Sequence, residues 1–199
     1  RSATTFGSIS ALGEMRFIKK QTASSSATIS FVDGTSDVVL DNTYKEYLFT
    51  FNNIHPATNS AEFTFNLSAD SGSNYNVTKT STMIGTYHNE DQSYDSGTAV
   101  QYTSENGGLA QSTAFQVLAV DCGNGNDECV SGSIHLFNPS STTFVKHFMT
   151  NANNYHAGNY TQQYLVAGYG NTTSAVDAVQ FKFASGNIDA GDICLYGIN

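Results

Sequence analysis

Apolar and polar residues alternate one by one along much of this chain. That two-residue period belongs to an extended strand with one covered face. In "EYLFTFNN", Tyr47, Phe49 and Phe51 fall on one side, and Leu48 and Thr50 on the other. In "EFTFNLS", Phe63, Phe65 and Leu67 share a face, opposed by Thr64 and Asn66. Ile134 and Leu136 share a face with Gly132. Val179, Phe181 and Phe183 alternate with Gln180 and Lys182, and Ile193 and Leu195 with Cys194 and Tyr196. Further strands are predicted at Ala27 to Phe31, Thr82 to His88, Ala99 to Thr103, Ala114 to Val120, Phe144 to Thr150 and Tyr164 to Tyr169. The segments between them are rich in Gly, Asn, Ser and Asp, the residues of turns. No amphipathic helical pattern of about ten residues or more interrupts the series.

The prediction is an all-β chain of about ten strands, folded as one antiparallel β-sandwich of jelly-roll type. Residues 1–14 read as an arm or linker, and residues 15–199 as a single domain. Phe49, Phe65 and Phe181 are expected in the interior.

Composition sharpens this picture. The 199 residues include 13 Phe, 11 Tyr and no Trp, and only 13% are charged, so polarity rests on Ser, Thr, Asn and Gln. The net charge is −9, and Lys19-Lys20 is the densest basic spot. A phosphate backbone or an anionic lipid surface would be repelled, so nucleic acid and membrane partners are not expected. No apolar run is long enough for a membrane-spanning helix.

Of the three cysteines, Cys194 lies in an apolar strand pattern, while Cys122 and Cys129 bracket "GNGNDE". If the flanking strands pair as a hairpin, Cys122 and Cys129 could reach disulfide distance. Such a bridge would contribute up to about 2–3 kcal/mol. The alternative is two free thiols. The same loop offers Asp121, Asn124, Asn126, Asp127 and Glu128 as oxygen donors for a hard cation. The spacing of a calcium loop is missing, so no metal and no cofactor is expected. His135 and His147 could face each other across a sheet, but strand histidines with no ligand motif read as structural. No nucleophile elbow is present. Glu46, Glu62, Asp91 and Asp95 could form a carboxylate pair only by coincidence of folding, so no enzymatic activity is expected.

Loops with the best binding chemistry combine tyrosine with amides. Flat phenol faces and amide donors suit the faces and hydroxyls of sugars. "NNYHAGNYTQQY" supplies Tyr155, His156, Tyr160 and Tyr164; Tyr75 and Tyr87 lie in similar segments.

Longer stretches carry a resemblance. "FIKKQTASSSATISFVDG", "YKEYLFTFNNIHPAT", "LFNPSSTTFVKHFMTN", "VAGYGNTTSAVDAVQFKFASGNIDAG" and "LYGI" resemble virion structural proteins of tailed phages of marine bacteria, among them cyanophages and pelagiphages. The likeness runs from about Met15 to Ile198. It implies a component of the extracellular particle surface: a tail fibre or spike tip, or a capsid decoration. Its partners would be other virion proteins and further copies of itself, a trimer being the first expectation. It implies no catalytic residues. The alternative is a carbohydrate- or receptor-binding adhesin directed at the host surface.

Overall fold

The computed structural model describes residues 15–91 and 107–199, together with the strand path of residues 97–101. Twelve strands follow one another: β1 (Met15–Thr22), β2 (Ile29–Val32), β3 (Glu46–Pro56), β4 (Ala61–Ser68), β5 (Lys79–Asn89), β6 (Gly97–Gln101), β7 (Gln116–Cys122), β8 (Val130–Phe137), β9 (Lys146–His156), β10 (Tyr160–Gly170), β11 (Ala178–Phe183) and β12 (Ile188–Ile198). There is no helix among the described residues.

The strands form two layers. The larger runs β1-β12-β3-β8-β9-β10-β5-β6 and the smaller β7-β4-β11-β2, joined at Cys122 opposite His156. Every pairing is antiparallel. With β5, β6, β9 and β10 set aside, the other eight strands cross between layers at nearly every connection. That is the double Greek key of a jelly roll. The four extra strands widen the larger layer beyond β8.

The alternating residues meet between the layers. Tyr47, Phe49, Phe51, Phe63, Phe65, Phe148 and Phe181 are fully buried. Phe181 has its ring centre 5.6 Å from that of Phe49 and 6.0 Å from that of Phe63, while Phe65 meets Phe148 edge-on at 5.1 Å. Each such pair adds roughly 0.5–1.5 kcal/mol beyond simple burial.

Four expectations change. β1 is a strand where the pattern "MRFIKKQT" gave no clean alternation; it is an outer edge with a register shift between Phe17 and Lys19. Much of the stretch Asn153 to Tyr164, expected as a loop, belongs to β9 and β10, and only residues 157–159 turn. The hairpin expected between β7 and β8 does not form, because both strands flank β9. With that hairpin gone, the Cys122–Cys129 bridge goes too. Both thiols are free: Cys122 lies in the core, and Cys129 sits at the surface 3.8 Å from Asn53 Oδ1. The arm expected at residues 1–14 lies outside the described residues.

Candidate functional site

The β9–β10 hairpin, with β5 beside it, carries most of the tyrosines singled out above. Asn159 takes the left-handed conformation (φ 64°) at the turn, which a short polar side chain tolerates. Its N–H donates to His156 O at 3.0 Å. The Gly158 N–H donates to His156 Nδ1 at 2.8 Å, so that nitrogen is the acceptor. Nε2 is then the protonated nitrogen, 3.6 Å from Asp121 Oδ2.

Strand parity divides the aromatic residues between two faces. His156 and Tyr160 stand on the side that faces the smaller layer, ring centres 5.0 Å apart, and Tyr87 meets Tyr160 edge-on at 6.3 Å. Tyr155 stands on the opposite side with Asn153, Thr161 and His88. These four, with Asn89, Glu90 and Tyr160, which reaches it from the other face of β10, line a cleft of about 340 Å³. The Tyr155 hydroxyl hydrogen-bonds the Glu90 carboxylate, which raises the phenol above its ordinary range. The Asn153 amide donates to Thr161 Oγ1 and to Gln162 O, at 3.0 and 2.7 Å.

Two of the six expected ligand residues do not join this tip. Tyr164 points inward from β10 and is buried, its ring packed where Gly85 leaves room; a Cβ there would lie 2.6 Å from the ring. Tyr75 lies in the loop over β4, with its carbonyl accepting from Asn66.

The acidic loop after β7 holds itself together. Glu128 accepts from the Gly125 N–H, the Asn124 amide N–H donates to Asn59, and Asp121 turns toward His156. Asn126 and Glu128, with Asn53, His55, Asp127 and Cys129, line a groove of about 510 Å³. Among the described residues, no three or more His, Cys, Asp or Glu side chains are gathered as metal ligands. Of the four carboxylates weighed for sugar cleavage, Glu46 pairs with His135, and Glu62 is half-buried near Asp121, its pKa raised mainly by burial. Asp91 accepts from Asn89, and Asp95 lies outside the described residues. His147 rests against Tyr169 rather than His135.

Alternation did not reveal a second surface, on the outer face of the larger layer. The register places Phe17, Tyr196, Leu48, His135, Met149, Ala167 and Thr82 in one row across seven strands. Phe17 is 60% exposed and Met149 58%; Leu165 and Ile84 are exposed one step along the strands. Toward the tip the same face turns polar, with Asn153, Gln163 and Thr86. Between Phe137, His147, Met149 and Tyr169 lies a shallow hollow of about 620 Å³ with Ala167 on its floor. The sequence signal is apolar residues of both parities, as in Tyr47-Leu48-Phe49 and Tyr164-Leu165-Val166. Such doubling marks strands covered on two sides.

No protein-family model, curated protein or solved structure matches the chain.

Proposed function

We propose that the chain is a structural component of a bacteriophage particle, displayed at the surface as a tail-fibre tip, spike or capsid decoration and acting through non-covalent contacts. The observation that carries this reading is the divided outer face of the larger layer. It is apolar around Phe17, Leu48 and Met149 and polar toward Asn153, Gln163 and Thr86. An exposed apolar area rimmed by polar residues is characteristic of a protein contact surface. The virion-protein resemblance along residues 15–198 supports the particle as its setting. Mass spectrometry of purified phage particles, with antibody labelling in the electron microscope, tests the proposal. A fixed copy number at one particle position is expected. Presence in infected-cell lysate but not in particles would overturn it.

The tip cleft favours a second reading, a carbohydrate-binding adhesin. Tyr155 and Tyr160 offer rings, and Asn153 and Glu90 offer polar partners. A host-glycan array probed with the isolated chain should then show binding that falls about tenfold or more in Tyr155→Ala and Tyr160→Ala. A wild-type chain that binds no glycan rejects this second reading.

A further inference from the structure

The apolar band just described has features that identify its occupant. We infer that it is where one copy of this chain seats on a second copy. This goes beyond the particle reading, and it is tested on the isolated chain, so either can fail without the other.

Size is the first argument. Seven strands spaced about 4.8 Å apart span about 29 Å. Three rows of outward side chains cover about 20 Å along the strands. The product is on the order of 600 Å² per copy, which reaches the lower range of specific interfaces when doubled.

Charge is the second. The chain carries −9, yet among the described residues the only acidic side chain in the central band is Glu46, which is paired with His135. Two copies can therefore meet here without bringing like charges together. A strongly basic partner would find little on this face to attract it.

Shape is the third. Phe17 and Tyr196 pack edge-on, ring centres 5.7 Å apart, and make a ridge at the β1–β12 side. The hollow over Ala167 lies at the β9–β10–β5 side. β8 runs midway between them. A twofold axis near His135 would set the ridge of each copy into the hollow of the other, so one face supplies both halves of the contact. The alternative route, edge-to-edge extension through β1, is disfavoured by its register shift and by Arg16, Lys19 and Lys20.

Light scattering coupled to size exclusion at roughly 100 μM detects self-association with a Kd up to about that value. The wild type should show twice its 21.3 kDa chain mass. Phe17→Glu and Met149→Glu should each return it to the single-chain mass, with far-UV circular dichroism unchanged. Thr86→Glu, at the polar end of the same face, should behave as wild type. If either apolar-band variant loses its strand spectrum, Ala167→Arg supplies the same readout by filling the hollow. A wild type that stays single at this concentration overturns the inference. So does an oligomer that folded Phe17→Glu and Met149→Glu leave intact.

Discussion

Lys79 is fully buried, yet among the described residues its amine has no carboxylate in reach; it donates to the Asn66 side-chain oxygen and to Val77 O at 2.8 Å. Burial pushes its ammonium down to about 7. Lys146, donating to the carbonyls of Phe144 and Thr172, is lowered for the same reason. In the unfolded chain both amines titrate near 10.4, so above pH 7 the unfolded state binds more protons. Stability should therefore rise with pH from about 7. The buried thiol of Cys122 and the buried phenols of Tyr47 and Tyr164 are pushed the other way. They withdraw stability once pH passes their unfolded values of about 8.5–10. Urea unfolding between pH 7 and 8.5 should thus show a gain of about 1–2 kcal/mol, clearly smaller in Lys79→Met. An equal gain in that variant would assign the effect to other groups. Nothing in "NVTKTST" announces a buried lysine, because its burial depends on Asn66 and the loop folded over β4.

At the scale of the strand, close approach decides which residues are tolerated. Gly132 in β8 faces inward between β3 and β9. A Cβ there would lie 2.2 Å from Asn151 O and 2.8 Å from Ala152 Cα. Both are backbone atoms of β9 and cannot rotate away. Gly132→Ala should cost about 3 kcal/mol and lower Tm by about 6–10 °C in calorimetry. Ser133→Ala, directed outward, should stay within about 0.5 kcal/mol of wild type. A Gly132→Ala melt as high as wild type would show that β8 and β9 can separate freely. Most strands were legible from alternation, as Phe63-Phe65-Leu67 illustrates. The three that misled each have a physical reason. β1 is an exposed edge with a register irregularity, so burial imposes little pattern on it. The outer parts of β9 and β10 extend beyond the apolar core, and their Asn, Gln and Thr side chains resemble those of a loop.

Across the whole molecule, stability depends on one aromatic centre. Phe181 of the smaller layer lies within 6.5 Å, ring centre to ring centre, of Phe31, Phe49, Phe63 and Phe65. Phe49 belongs to the larger layer, so the contact ties the two together. Phe181→Ala should lose about 3–5 kcal/mol while keeping a single unfolding transition by fluorescence and circular dichroism. Two separated transitions would mean that the layers unfold independently. The same architecture forms the site surfaces. The four added strands extend the larger layer, placing the tip cleft at one end of its outer face and the apolar band toward the other.

By itself the sequence determined the class of fold and the members of the core, because a side chain's direction along a strand is a local property with a period of two. Phe49, Phe65 and Phe181 could be placed inside without knowing what they would touch. Neighbours are not local. Only the tertiary structure inserted β9 between β7 and β8, parting Cys122 from Cys129. It alone turned Tyr164 inward while Tyr155 and Tyr160 took opposite faces. It also aligned Phe17, Leu48 and Met149, residues from three distant stretches, into one exposed band. Strand order depends on contacts between remote segments, and no period along the chain encodes which strand lies beside which.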